Sequence, residues 1–269
     1  MTVSEPRHIL SLSGGKDSTA LAIYMRDRVA EMEYVFCDTQ KELPETYEYL
    51  GRLEAYLGKP IVRLNAERGF DHWLNLYNGY LPSSRMRWCT RQLKIRPFEK
   101  YVGDDSVVSY IGIRADENRE GYISTKPNIT ARYPFKDAGI VKSDVYRILD
   151  ESGLGVPEYY KWRTRSGCYF CFFQRKAEWV GLREKHPDLF ELAKSYEKID
   201  PETGERYTWS QSESLVDLEQ PARVEEIKRN HAKVLAKEQT VLPNRPLVEI
   251  LAEVHDDEDD GQGCLICHL

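Results

Sequence analysis

Short apolar segments alternate with amphipathic segments over the first half of the chain. Apolar runs at 8–13, 33–39, 60–66 and 105–114 are typical of buried strands. Helix-like stretches occupy 17–32, with Asp17 or Ser18 near its N-cap, and 44–58, with Pro44 at its start and Gly58 past its end. This alternation predicts a parallel sheet with right-handed crossovers and helices on both faces.

The second half is more helical and less regular. Helices are predicted from 142 to about Gly153, over 176–199 with a break near Pro187, and over 222–239. We therefore predict a doubly wound, mainly parallel α/β sheet with a mostly helical C-terminal part. The expected domains are an α/β core over 1–150, a helical extension over 151–235 and an acidic tail over 236–269.

Composition narrows the classes of protein that the chain fits. Its 269 residues are enough for a substantial core. No apolar run approaches the roughly 20 residues of a membrane helix, and the N-terminus does not have the pattern of a secretory signal. We expect a cytoplasmic protein without a membrane partner. The net charge of −6 argues against a wholly basic nucleic-acid surface but allows a local basic face.

The segment Ser13-Gly14-Gly15-Lys16-Asp17-Ser18 is predicted to form a phosphate-binding loop at a strand-to-helix turn. Its glycines allow backbone N–H groups to point inward, and the following helix offers its positive end. The spacing is not that of the usual nucleotide triphosphate loop. Asp17 suits either a helix cap or a divalent cation that accompanies the phosphates. Ligands of such sheets bind at the carboxyl ends of the strands, where Asp38 and Arg114 also fall.

Six cysteines in a reducing compartment are not expected to form three disulfides. Cys168 and Cys171 form one Cys-x-x-Cys pair, and Cys264 and Cys267 form another. This spacing suits a metal, a cluster or a dithiol. Cys89 lies among five basic residues that favour its thiolate, whereas Cys37, at a strand end, is expected to be a core cysteine. The five basic residues are Arg85, Arg87, Arg91, Lys94 and Arg96.

The loop and several later segments resemble the phosphoadenosine-phosphosulfate-reductase-like branch of the PP-loop (N-type) ATP pyrophosphatase superfamily. These segments are VFCDTQKELPETYEYL, RWCTRQLKIRPF, GIRADENR and the region from YPFKDAGIVKSD to RSGCYFC. The likeness covers roughly 8–200 and implies an adenine nucleotide alpha hydrolase-like fold. Within the branch, the chain is most similar to DNA phosphorothioation proteins of the DndC and SspD type.

The resemblance implies that the loop residues hold the β- and γ-phosphates of ATP, which leave as pyrophosphate. It further implies that Asp38 lies by the adenosine or Mg²⁺ and that Arg114 and Arg119 face the α-phosphate. Lys16, Asp17, Arg114 and Cys89 are the implied catalytic residues. The loop residues concerned are Ser13, Gly14, Gly15, Lys16, Asp17 and Ser18.

For the cysteines, the resemblance implies a [4Fe–4S] cluster held by Cys89, Cys168 and Cys171. Thr90 stands where many cluster-bearing relatives have a further cysteine, so the last iron is either open or bound by Cys264 or Cys267. Zinc bound by the two Cys-x-x-Cys pairs is the alternative, and metal-free redox thiols are a third.

The implied function is ATP cleavage to AMP and pyrophosphate, which activates an acceptor for sulfur incorporation. The expected acceptor is a DNA backbone phosphate, held with the help of other phosphorothioation subunits, and the expected sulfur donor is a cysteine desulfurase. The basic and aromatic segments at 85–100 and 161–176 suit nucleic acid. The alternatives are a thioredoxin-linked phosphoadenylyl sulfate reductase and a nucleotide-binding scaffold that recruits a desulfurase. The C-terminal GCLICHL matches a reductase tail only in part.

Overall fold

A computed structural model describes residues 5–118, 124, 126–199, 206–210 and 213–240. The chain divides into two compact units. Within the described residues, the first unit comprises 5–78 and 85–168, and the second comprises 79–84 and 169–240. The first unit therefore includes 151–168, which were expected to belong to the helical extension. The predicted division into three domains stays a prediction.

The first unit is built on a five-stranded sheet in the order β3-β2-β1-β4-β5, and every neighbouring pair in it is parallel. This confirms the predicted α/β class with a parallel sheet. Because the strands run in one direction, their carboxyl ends meet at one edge. The strands are β1 (Arg7–Leu12), β2 (Met32–Asp38), β3 (Ile61–Asn65), β4 (Val107–Tyr110) and β5 (Ile129–Arg132).

Helices connect these strands in the first unit. The first helix ends at Met25, seven residues earlier than predicted, and its N-cap is Gly15, with Asp17 in the first turn. The second begins with Pro44 and is capped by Gly58 with φ +65°, as predicted. The helices are α1 (Lys16–Met25), α2 (Pro44–Leu57), α3 (Phe70–Leu76), α4 (Trp88–Thr90), a π-helical turn (Arg91–Ile95), α5 (Arg96–Val102), α6 (Pro134–Asp137), α7 (Lys142–Glu151) and a 3₁₀ turn (Glu158–Lys161).

Alternate residues of β1 separate the two cores of this unit. Leu10 and Leu12 pack into a cluster with side chains of α1, α2 and α7, whereas Ile9 packs into a second cluster with Phe98 and Val102 of α5. Side chains of successive strand residues point to opposite faces, so one strand serves both cores. The sheet is thus covered on both faces, as expected of a buried parallel sheet.

The second unit is mainly helical, which confirms the predicted helical C-terminal part. Its elements are α8 (Lys176–Lys185), α9 (Pro187–Ser195), β6 (Lys198–Ile199), β7 (Arg206–Tyr207), α10 (Leu215–Leu218) and α11 (Pro221–Thr240). Phe170 stacks on Trp209 at a centroid distance of 4.9 Å in its interior. Glu213 accepts hydrogen bonds from Arg223 and forms an ion pair with Lys176, and these partners lower the pKa of Glu213 to about 2.

Over the described ranges, no helix combines the length and the apolar character that crossing a bilayer requires.

Candidate functional site

The backbone of the loop after β1 is closely packed. Gly14 has φ +72°, a conformation that side-chain-bearing residues rarely adopt. A Cβ atom at Gly14 would lie 2.5 Å from Cγ2 of Thr46, and one at Gly15 would lie 2.7 Å from Oγ of Ser166. Glycine is therefore required at both positions for this path of the chain.

The two serines of the loop hold it in shape. Ser18 Oγ accepts a hydrogen bond from the Ser13 N–H at 3.1 Å and donates one to the Gly15 carbonyl at 3.2 Å. The hydroxyls of Ser13 and Ser18 lie 3.0 Å apart. Since both serines are buried, these bonds fix the loop before any ligand binds.

A charged cluster follows the loop. Lys16 Nζ lies 2.5 Å from Oδ2 of Asp17, and Arg114 Nη1 lies 2.7 Å from Oδ1 of the same carboxylate. Arg114 also contacts the carboxylates of Asp116 and Glu117, at 2.9 and 2.6 Å. Burial alone would lower the pKa of Arg114, but the charge of Asp17 and its neighbours raises it. The structure thus brings together three of the four predicted catalytic residues, Lys16, Asp17 and Arg114.

Two cationic groups face three carboxylates in this cluster. Bound phosphates would therefore meet an excess of negative charge unless a divalent cation came with them. Mg²⁺ is usually held by one or two protein carboxylates together with the phosphates of the substrate. Asp17 and Asp38 fit that requirement as oxygen donors.

Asp38, at the end of β2, is held in place on one side. Its Oδ1 accepts hydrogen bonds from the Gln40 N–H and the Tyr47 hydroxyl, both at 2.8 Å. Burial and the neighbouring Asp38 raise the pKa of Tyr47, which keeps the phenol protonated as a donor. The carboxylate is therefore oriented at the ligand-binding edge of the sheet.

Residues far along the chain complete the loop, and none of them was among the predicted site residues. The Tyr159 hydroxyl donates to the Gly14 carbonyl at 2.8 Å, and the Tyr160 hydroxyl accepts from the Lys16 N–H at 3.2 Å. Ser166 Oγ lies 3.2 Å from Oγ of Ser13. Burial raises the pKa of both tyrosines, so both phenols stay neutral. The run PEYY was their only sequence signal, and nothing local tied it to the loop.

The cysteines occupy different environments. Cys37 is 3% exposed within the core that contains Ile9, as expected, and burial raises the pKa of its thiol to about 12. Cys89 is partly exposed on α4. The thiol of Cys168 lies 3.1 Å from the Thr39 hydroxyl and 3.7 Å from Oε1 of Glu42, which is buried.

The structure describes three of the five cysteines for which a metal-binding role was predicted. Among the residues that the structure describes, no three or more histidine, cysteine, aspartate or glutamate side chains are grouped so that they could hold a metal ion. Cys264, Cys267 and Arg119 lie outside the described residues. The iron–sulfur cluster and the zinc alternative stay predictions.

The basic segment around Cys89 forms one helical stretch, α4, the π turn and α5. Its apolar side chains, Trp88, Leu93, Phe98 and Val102, are buried, and its charged side chains lie between them in sequence. Trp88 stacks on Tyr77 at a centroid distance of 5.2 Å. The segment therefore has a structural side that anchors it to the first unit, in addition to basic side chains such as Arg91 and Arg96, which are exposed.

Comparison with known proteins identifies related chains and a related fold. A solved phosphoadenylyl-sulfate reductase from Candida auris, in complex with phosphate, is 14% identical with a TM-score of 0.50, over 62% of this chain and 83% of that one. Two uncharacterised proteins of Methanocaldococcus jannaschii are 27% and 26% identical over 68% and 67% of this chain. The matched part spans only 40% and 45% of their lengths.

A family profile gives the decisive match. The profile described as the phosphoadenosine phosphosulfate reductase domain matches residues 7–161, which is more than half of the chain. This range contains the loop, the charged cluster and both tyrosines. The chain therefore belongs to the phosphoadenosine phosphosulfate reductase domain family.

Proposed function

We propose that this chain is an ATP pyrophosphatase that adenylates an acceptor for sulfur incorporation. The observation that carries the proposal is the ion-paired cluster in which Arg114 contacts Asp17 and Asp17 contacts Lys16, both buried residues of the Ser13–Ser18 loop. Two cationic side chains and a preformed backbone loop thus lie at the carboxyl edge of the sheet, where a nucleotide binds in such folds.

Each group of the site has a separate role in the proposed reaction. The loop and Lys16 would hold the β- and γ-phosphates, and Arg114 would turn from Asp17 to the α-phosphate. An acceptor oxygen attacks the α-phosphorus, a new P–O bond forms, and the bond to the bridging oxygen breaks. Pyrophosphate leaves with the electron pair, and AMP stays on the acceptor until a persulfide sulfur displaces it. A second thiol would then break the sulfur–sulfur bond, which leaves the sulfur on the acceptor and forms a disulfide with the donor cysteine. Arg114 would stabilise the charge that builds on the α-phosphate in the transition state.

Magnesium would neutralise the leaving pyrophosphate, and Asp17 or Asp38 would hold it together with the phosphates. We further propose a DNA backbone phosphate as the acceptor and the persulfide of a cysteine desulfurase as the sulfur donor. The support for DNA is the exposed charge of the helical stretch that carries Arg91 and Arg96. The overall negative charge of −6 favours DNA binding within a larger complex with other phosphorothioation subunits.

The test measures pyrophosphate release from ATP and Mg²⁺, with DNA and a persulfide-loaded desulfurase present. Lys16→Ala should lower the rate by about 10²–10³-fold, because the cation on the leaving group is lost. Lys136→Ala is the matched control, since Lys136 is exposed on α6 of the same unit and lies outside both basic segments. ATP binding without pyrophosphate release under every condition would support the scaffold alternative instead.

The family match favours a second candidate, a thioredoxin-linked phosphoadenylyl sulfate reductase. In that case the same loop would hold the phosphates of the adenylyl sulfate, and reduced thioredoxin would supply the electrons. Sulfite released from phosphoadenylyl sulfate in the presence of reduced thioredoxin, together with no pyrophosphate from ATP, would establish the reductase and overturn the pyrophosphatase.

A further inference from the structure

A cavity of about 210 Å³ lies where the chain leaves β3, away from the residues of the loop site. Its walls come from the segment after β3, from α3 and from one side of the π turn and α5. The side chains that matter for its chemistry are Asn65, Arg68, Trp73, Gln92, Arg96 and Lys100. Its volume is below the usual range for a drug-sized ligand and suits one planar group.

Trp73 gives the cavity an aromatic wall. Its indole N–H donates to the Arg68 carbonyl at 3.1 Å, so the polar atom of this side chain is already satisfied by the protein. The ring is only partly buried, which leaves apolar surface for a ligand. The Arg96 guanidinium lies 6.0 Å from the ring centroid. An aromatic ring beside a guanidinium suits a flat, electron-rich ligand.

Gln92 adds an unusual polar group to the wall. The side chain is 6% exposed, and its Nε2 donates to the Tyr77 hydroxyl at 3.2 Å. Its Oε1 is buried without a hydrogen-bond partner. Buried acceptors without partners are disfavoured, and the terminal torsion of a carboxamide is soft. A ligand N–H that reached this oxygen would satisfy it, as the amino group of a nucleobase can.

Basic side chains surround this aromatic and amide pair. Arg96 and Lys100 follow Gln92 at intervals of four residues, and all three line the same cavity. Lys100 forms an ion pair with Glu67 at 2.5 Å, but both side chains are highly exposed. Exposed pairs contribute little stability, so a phosphate can compete with Glu67 for Lys100. The charged residues that line the cavity are Arg68, Arg96, Lys100 and Glu67, so its rim carries a net positive charge.

We propose that this cavity binds an unpaired nucleotide, with its base against Trp73 and its phosphate at Arg96 and Lys100. A ring for stacking, an amide for the base edge and cations for the backbone are what single-stranded nucleic acid requires. A free mononucleotide offers the same chemistry. The proposal that the cavity holds the acceptor strand rests on the proposed function. The proposal that it binds a nucleotide does not.

The experiment is a titration of the full chain against a short fluorescein-labelled single-stranded oligonucleotide, followed by anisotropy at several salt concentrations. Trp73→Ala and Arg96→Ala should each weaken binding about tenfold, and Trp73→Phe should retain it because a phenyl ring also stacks. Arg96→Ala should also make the salt dependence shallower by about one counterion. Arg147→Ala is the matched control, because Arg147 is exposed on α7 outside the cavity.

AMP is the second probe, and it separates the two sources of ligand. If AMP displaces the oligonucleotide and its own binding falls in Trp73→Ala, the cavity takes free nucleotides. If AMP does not compete, the ligand is single-stranded nucleic acid. Wild-type affinity and salt dependence in both Trp73→Ala and Arg96→Ala would overturn the proposal. Should Trp73→Ala fail to fold, the exposed Arg96 decides the outcome alone.

Lys16→Ala separates this inference from the proposed function. The variant should lose pyrophosphate release and keep oligonucleotide binding. If no condition yields pyrophosphate while binding still depends on Trp73, the proposed function fails and the cavity stands. If pyrophosphate is released while binding ignores Trp73 and Arg96, the reverse holds.

Discussion

Substituting Gly14 by alanine should destabilise the first unit through two separate effects. The residue has φ +72°, and a left-handed conformation costs a residue with a Cβ atom about 1–2 kcal/mol. The new Cβ atom would also lie 2.5 Å from Cγ2 of Thr46, which is fully buried on α2. Overpacking of this kind costs about 1–3 kcal/mol. We therefore expect the free energy of unfolding to fall by about 2–5 kcal/mol.

A second substitution separates the two effects. Thr46→Ser removes the clashing methyl group. The nearest remaining atom of residue 46 is then its Cβ, 3.8 Å from the Cβ of an alanine at position 14, which is an ordinary contact distance. Alone, Thr46→Ser should cost about 1 kcal/mol for one buried methyl group. In the double variant it should instead restore about 1–3 kcal/mol relative to Gly14→Ala, while the cost of the backbone conformation remains.

Urea titration followed by circular dichroism measures this cycle, with equal denaturant slopes required for the comparison. If the double variant is less stable than Gly14→Ala by the cost of Thr46→Ser alone, the loop is not packed against α2 as described. Isothermal titration with ATP provides a second readout. The hydrogen bond from Tyr159 to the Gly14 carbonyl helps to hold the loop in position. If Gly14→Ala displaces the loop, the backbone N–H groups that would face the phosphates move with it.

Three further predictions concern hydrogen bonding, thiol reactivity and acid stability. Tyr159→Phe leaves the Gly14 carbonyl without its buried donor, so the free energy of unfolding in urea should fall by about 1–3 kcal/mol, and an unchanged value would contradict that bond's contribution. The Cys37 thiol, with its pKa raised by burial to about 12, stays protonated at about pH 8 and should resist iodoacetamide under conditions that alkylate Cys89, as peptide mass spectrometry will show. The basic partners of Glu213 lower its pKa from 4.5 to about 2, so its ionised form stabilises the fold above about pH 4.5 and that contribution is lost as the pH falls toward about 2. In urea titrations between about pH 4.5 and about pH 2, Glu213→Gln should lose less stability than the wild type as the pH falls. Equal losses in the two proteins would show that ionised Glu213 does not stabilise the fold.

The sheet was predictable because its signal is local. Apolar runs of strand length separated by helix-length segments identify β1 to β4 directly. The edge strand β5 (Ile129–Arg132) was missed, since its residues alternate between partly buried and exposed and none is fully buried. An edge strand with one neighbour leaves only a weak pattern of burial in the sequence.

The helical stretch around Cys89 shows a different failure. Its buried residues Trp88, Leu93 and Phe98 recur every five positions. A regular α-helix repeats its apolar face every three to four residues, so a spacing of five does not predict a helix. The π turn at Arg91–Ile95 accounts for it, because its wider turn brings positions five apart onto one face. No helix was therefore predicted for this segment.

For the site, residues within one segment were predictable and the contacts between segments were not. The composition of the loop pointed to Lys16 and Asp17. The contacts of Tyr159 with Gly14 and of Ser166 with Ser13 join positions 145 and 153 residues apart. Such pairs depend on how the connections after β4 return to the sheet edge, which no local pattern encodes.

The loop and the cavity share one edge of the sheet but no side chain. β1 ends at the loop, β3 ends at the cavity, and β2 lies between them, so two strand spacings separate the strand ends by about 10 Å. That distance is beyond the reach of a hydrogen bond but within the length of a bound nucleotide with its phosphates. A substitution at Trp73 therefore leaves the contacts of Lys16 in place, and the converse also holds. Chemistry at the α-phosphate and recognition of an acceptor are thus separable tasks in this fold, which is why oligonucleotide affinity and pyrophosphate release report on different residues.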